Sequence, residues 1–199
     1  GKSIDRGQSW SQITIPLNDD GNPLGDYQGS MSYWGSLGID PNNPDIIYAG
    51  AFQLFKSVDS GTSWNQIAEW YTGSNLPYVH ADQHNIIPLN SDEILFSNDG
   101  GVFLTTDGGN TFSHRNSGLN TTQFYAIAIH PSNQDFILGG TQDNGSWLIT
   151  DGNETEVTGG DGGYTHTDKL DSNYQFTAYV YNRVYRSTNG GQSFNLWYD

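Results

Sequence analysis

The sequence predicts an all-β chain built from repeated four-stranded units, and three observations carry that prediction. A short polar motif returns four times. Between its copies lie short apolar runs with turn residues and no helical period. The 199 residues include 25 Gly and 14% aromatics, a composition suited to short strands and tight turns.

The first copy of the motif is Ser3-Ile-Asp5-Arg-Gly7-Gln-Ser9-Trp10. The second runs from Ser57 through Asp59, Gly61 and Ser63 to Trp64. The third runs from Thr105 through Asp107, Gly109 and Thr111 to Phe112. A weaker fourth has Ser187, Asn189, Gly191, Ser193 and Phe194. Apolar stretches flank each copy, so each reads as a β-hairpin with its polar residues at the turn. Asp accepts backbone N–H groups a few residues on, Gly supplies positive φ, and the closing aromatic points inward. These residues read as local staples and not as catalytic carboxylates.

The motif resembles the Asp-box, or BNR repeat, of sialidases, sortilin-type receptors, photosystem-assembly propellers and xyloglucan-cleaving glycosidases. The resemblance implies a β-propeller in which each box joins the third and fourth strands of a blade.

The interval between the third and fourth boxes exceeds the roughly 40–50 residues of one four-stranded blade. A second repeat resolves it. Ile39-Asp-Pro-Asn-Asn-Pro-Asp has counterparts beginning at Ile87, Ile129 and Thr167, each marking the turn between a blade's first two strands. A hidden blade therefore carries a degenerate box at Thr150–Thr155, with no closing aromatic. The expected organisation is a single propeller segment over 1–199. It has a partial blade at 1–15 and four blades at about 30–70, 80–116, 122–158 and 162–197. Closed propellers have about four to eight blades, and an open arc leaves strand edges exposed. The segment is thus expected to be part of a six- to eight-bladed ring, closed by remaining blades or a second chain.

The formal charge of −15, with seven Lys and Arg, makes nucleic acid a poor partner. It also disfavours acidic glycans. Neutral polysaccharide, cations or a basic protein are compatible. No cysteine is present, unlike in disulfide-rich ectodomains. No run is long enough for a membrane-spanning helix.

In the propeller fold the box hairpins emerge on one face, and the inter-blade loops and second-to-third strand loops on the other. That rule collects the unusual polar residues on one rim. They are His80, Asp82 and His84; Asp99; Gln123 and Tyr125; Gln142, Asp143 and Asn144; and Asp161, Tyr164 and Tyr181. Convergent polar groups on independent loops describe a binding or catalytic cleft. Extended backbone would put His80, Asp82 and His84 on one side. There they could bind calcium or another divalent metal, form a hydrogen-bonded network, or touch substrate. No cofactor is required by any other feature.

Asn98-Asp99-Gly100-Gly101 resembles the Asp-x-Gly-Gly-x-Tyr-Arg stretch of the xyloglucan-cleaving glycosidases, which carries a catalytic carboxylate. The resemblance implies Asp99 as a catalytic acid, with Asp143 in the equivalent loop one blade later. The spacer residue is missing, and Leu104 stands where that family has Arg. In that family the two acids come from different propeller domains. Sialidases clamp a carboxylate with three arginines. Of Arg6, Arg115, Arg183 and Arg186, the first and last sit at boxes, which disfavours a self-contained sialidase relative to a xyloglucanase-like enzyme. The tracts around His80, Asp99, Gln123 and Gln142 also resemble secreted, sortilin-like proteins of Bacteroidetes-type bacteria. That resemblance implies an extracellular or cell-surface location.

Two functions follow as expectations. One is a secreted bacterial propeller that binds and hydrolyses neutral polysaccharide, with Tyr125, Tyr164 and Tyr181 stacking on sugars. The other is a non-catalytic, sortilin-like scaffold for a protein ligand.

Overall fold

The structure is a computed structural model that describes residues 1–24, 35–119 and 121–199. The first residues of the blade expected at about 30–70 lie partly outside these. The chain divides into two compact units, 1–118 and 119–199.

The first unit holds two four-stranded antiparallel sheets. One comprises β1 (Ser36–Ile39), β2 (Ile47–Gly50), β3 (Leu54–Ser57) and β4 (Asn65–Ala68). The other comprises β5 (Gln83–Pro88), β6 (Ile94–Asn98), β7 (Gly101–Thr105) and β8 (Ser113–His114). The second unit repeats the plan. Its first sheet contains β9 (Phe124–Ile129), β10 (Ile137–Thr141), β11 (Ser146–Thr150) and β12 (Asn153–Thr158). Its second contains β13 (Thr165–Thr167), β14 (Gln175–Ala178), β15 (Val184–Ser187) and β16 (Asn195–Tyr198). Every sheet pairs its strands in chain order. This meander is a propeller blade. One 3-10 turn, Val180–Asn182, is the only helical element among the described residues.

Within each unit the blades meet through their first strands, β1 beside β5 and β9 beside β13. Small residues allow the approach. A Cβ on Gly38 would lie 2.7 Å from Ile86, and one on Gly50 would lie 2.8 Å from Gln83. Tyr48, Leu54, Ile86, Ile94, Phe96 and Phe103 fill the space between the blades of the first unit. Each large apolar side chain buried there contributes about 1.5–3 kcal/mol. Phe136, Leu138 and Leu148, with Phe194 against them, form the core of the second unit.

The three complete boxes are built alike. In the second, the Ser57 hydroxyl donates to Asp59 Oδ1 at 2.8 Å and accepts from the Gly61 N–H at 2.8 Å. Asp59 Oδ1 accepts the Ser63 N–H at 2.8 Å, and Oδ2 accepts the Ser63 hydroxyl at 2.6 Å. Asp5 and Asp107 repeat these bonds. Such hydrogen bonding favours the charged form. It holds all three carboxyls at about 2, with the bond from the box's last Ser or Thr hydroxyl as the largest cause. In the fourth box Asn189 keeps the geometry. Its Oδ1 accepts the Ser193 N–H at 3.1 Å, and its Nδ2 donates to the Ser193 hydroxyl at 2.9 Å.

The boxes also fasten more than their own hairpins. The glycines of the last three boxes have φ of +83° (Gly61), +99° (Gly109) and +86° (Gly191), and each abuts the segment or blade before it. A Cβ on Gly61 would meet Ile13 at 3.1 Å, one on Gly109 would meet Ile67 at 3.0 Å, and one on Gly191 would meet Leu148 at 3.0 Å. Around them, Lys56 Nζ donates to the Gly108 carbonyl at 2.8 Å, and Thr14 donates to the Gly61 carbonyl at 2.6 Å. The closing aromatics Trp64, Phe112 and Phe194 are half-buried against the cores. Trp10 departs from the expected inward position, being 68% exposed. The degenerate box is a two-residue turn, with Thr150 paired to Asn153 and φ of +51° at Asp151 and +75° at Gly152. Two positive-φ residues define a type I′ hairpin, for which Asp-Gly is a preferred pair.

Candidate functional site

The meander places each box and each β1–β2-type turn at one end of a blade. The β2–β3-type turns and the connections to the next blade lie at the other end. The candidate residues occupy that second end in both units.

In the first unit, Asp99 sits in the tight turn between β6 and β7. His84 is displaced by a bulge in β5 between Gln83 and Asn85. The bulge aims the imidazole at the turn, and His84 Nε2 lies 2.5 Å from Asp99 Oδ1. His80 packs against Gly100, where a Cβ would fall 2.5 Å from the ring. Its Nδ1 is 3.2 Å from the Ala81 carbonyl. Asp82 has φ of +62°, which ends the alternation that extended backbone would have imposed. The structure therefore corrects the expectation that His80, Asp82 and His84 share one side. No group of three His, Asp or Glu side chains among the described residues is placed to hold a metal ion. His84 pairs with Asp99 instead.

Between β4 and β5 lies a loop that the polar pattern did not single out. Its root is Glu69, 7% exposed. The Glu69 carboxylate accepts from Gln53 Nε2 at 2.7 and 2.8 Å, from Gln66 Nε2 at 2.9 Å, and from the Trp70 N–H at 3.0 Å. Backbone bonds from Glu69 to Pro77 and from Val79 to Glu69 close the loop. Trp70 and Tyr71 stand at its start, 41% and 49% exposed. The Trp70 ring meets Phe52 and Tyr71 edge-on, with centroids 5.4 Å apart in both pairs. The adjacent Trp70-Tyr71, followed by the turn residues Gly73 and Pro77, was the signal available in the sequence.

In the second unit, the Gln142 N–H donates to the Gln123 carbonyl at 3.0 Å. Asp143, at φ +57°, donates its N–H to Asp161 Oδ1 at 3.1 Å. Asn144 Nδ2 donates to the Gln142 carbonyl at 3.0 Å, and Trp147 Nε1 donates to the Asn144 carbonyl at 2.5 Å. Partial desolvation, then the charges of Asp161 and Asp143, push the Tyr125 phenol up. Structure thus brings Gln123, Tyr125, Gln142, Asp143, Asn144 and Asp161 into one neighbourhood. Tyr164 and Tyr181 project from neighbouring loops of the same unit, 84% and 85% exposed. Asp99 belongs to the first unit and Asp143 to the second.

Propeller blades with a hydrogen-bonded polar rim opposite their stapled ends define the class of architecture. No family model matches the chain. Over 80 residues it is 35% identical to a xyloglucanase of Hypocrea jecorina, covering 38% of this chain and 9% of that protein. Over 133 residues it is 26% identical to a xyloglucanase of Acetivibrio thermocellus, covering 56% of this chain and 15% of that protein. The chain therefore spans a small part of the length of the curated relatives it matches. Among solved structures it aligns with the GH74 enzyme of Niastella koreensis. That match is 19% identical, covers 81% of this chain and 29% of the other, and has a TM-score of 0.33. It also aligns with YCF48 bound to D1 peptide, at 13% identity over 96% of this chain and 71% of the other, with a TM-score of 0.38. No helix among the described residues is long and apolar enough to cross a membrane.

Proposed function

We propose that the chain forms part of an extracellular, xyloglucanase-like glycoside hydrolase of the Asp-box type, and that its rim binds neutral polysaccharide. The observation that carries this reading is the partial sequence similarity to xyloglucanases. The polar rim supports it, because it offers carboxylates, amides and exposed tyrosines on rigid blade ends. Asp99 would take the acid/base role, held in orientation by His84. Asp143 would lie on the rim of the second unit. Tyr125, Tyr164 and Tyr181 would pack against sugar rings.

The test is reducing-sugar release from xyloglucan and other β-glucans, comparing the wild type with Asp99→Asn. A positioned acid or base contributes about 10²–10⁴-fold, so the variant should lose at least about a hundredfold. Unchanged hydrolysis would remove Asp99 from the chemistry. A second reading, a sortilin-like scaffold without activity, is favoured by one departure. Leu104 and the missing spacer break the glycosidase pattern around Asp99. Protein binding with no glucan binding and no release would select it.

A further inference from the structure

The Trp70–Tyr71 loop carries a site that the rim residues above do not include. Trp70 and Tyr71 are each about half-exposed, large aromatic rings with apolar surface free to stack, and they stand on a loop whose root is fixed by hydrogen bonds. The root is a carboxylate removed from water, which requires partners. It has them in Gln53, Gln66 and the Trp70 N–H. The last bond ties the buried anchor directly to the residue that presents the indole. Phe52, from the β2–β3 turn of the same blade end, backs the indole from the side. The rings are therefore pre-organised, and binding to them forfeits little conformational freedom.

Charge selects the ligand. No Lys or Arg occurs between Lys56 and Arg115, a stretch that contains the whole loop from Glu69 to Val79. Anionic glycans, nucleic acids and acidic peptides find no Lys or Arg on the loop itself. A neutral sugar ring presents an apolar C–H face to an aromatic plane and hydroxyls to its edges. Thr72 and Asn75 are exposed polar residues of the same loop.

We infer that Trp70 and Tyr71 form a stacking ledge for a neutral glucan chain, positioned by the buried Glu69 carboxylate. The inference rests on the polysaccharide reading above. Its test is affinity electrophoresis in native gels containing xyloglucan or mixed-linkage β-glucan, with thermal melting alongside. The wild type should be retarded. Trp70→Ala and Tyr71→Ala should each bind about tenfold more weakly, equivalent to about 1.4 kcal/mol, with little change in melting temperature. Trp10→Ala, which removes an exposed indole at a box, should bind as the wild type does. Glu69→Ala should lose affinity, and Glu69→Gln should restore it by keeping an acceptor for the Trp70 N–H. Wild-type retardation that survives both ring deletions would overturn the ledge alone. Equal affinity of Glu69→Ala and wild type would overturn the positioning role. A wild type that no neutral glucan retards would overturn the polysaccharide reading itself, and the ledge with it.

Discussion

Tyr181 occupies backbone that disfavours it. It and Asn182 both have positive φ, +60° and +62°, at the tip of the β14–β15 turn. Glycine or asparagine suits such positions, and a bulky side chain there costs about 1–3 kcal/mol. The ring is 85% exposed, so packing within the chain does little to offset the strain. Tyr181→Asn should therefore raise stability by about 1 kcal/mol, read as a higher melting temperature. A fall would show that the ring packs usefully. The box carboxylates give a pH prediction. Asp5, Asp59 and Asp107 titrate at about 2 when folded, against 3.8 as the ordinary value. A depressed acid stabilises the fold above its unfolded pKa and loses that contribution as pH falls through the folded one. Stability should decline between about pH 4 and pH 2. These groups are solvent-exposed, which screens the effect. Asp59→Asn should fold, since Asn189 already supports a box, and should flatten part of that decline in acid-unfolding curves. An unchanged curve would mean that Asp59 contributes nothing to it.

At the scale of elements, the hairpins were legible because their determinants are local. Ser57, Asp59, Gly61 and Ser63 lie within seven positions and bond to one another, so their spacing alone specifies the turn. The turns between first and second strands follow the same rule. Asp40, Asn90, His130 and Asp168 each accept two successive N–H groups through one side-chain atom. The side chain that does so in the second blade, Asn90, stands two residues later relative to the Ile start than Asp40 does. What was not legible depends on partners distant in sequence or on a single dihedral. Asp82 at positive φ dissolved the expected His-Asp-His alignment. The bulge at His84, which pairs it with Asp99, has no sequence signature of its own. The contacts of Gly61, Gly109 and Gly191 with the preceding segment or blade are likewise non-local. Gly140 shows how tight the approach between blades is. A Cβ there would collide with the Gly163 carbonyl oxygen, backbone that cannot easily move. Gly140→Ala should cost about 3 kcal/mol, measured by denaturant unfolding. A cost below about 1 kcal/mol would show that the 159–164 loop yields.

For the whole molecule, composition excluded more than it assigned. A charge of −15 argues against nucleic acid and anionic glycans, and leaves neutral polysaccharide and protein partners. The division of labour within a blade makes the sharper statement. Stapled ends repeat one hydrogen-bonded geometry, and the opposite ends carry the aromatic, amide and carboxylate variety suited to recognition. The most direct measurement is a titration of the ¹⁵N-labelled protein with xyloglucan oligosaccharide, following backbone amide shifts. The account predicts perturbations in 51–53, 69–84, 98–100, 123–125, 141–145, 161–164 and 179–183, with the box hairpins at 57–64, 105–112 and 187–194 unmoved. Perturbations confined to the box hairpins, or none at saturating oligosaccharide, would contradict it.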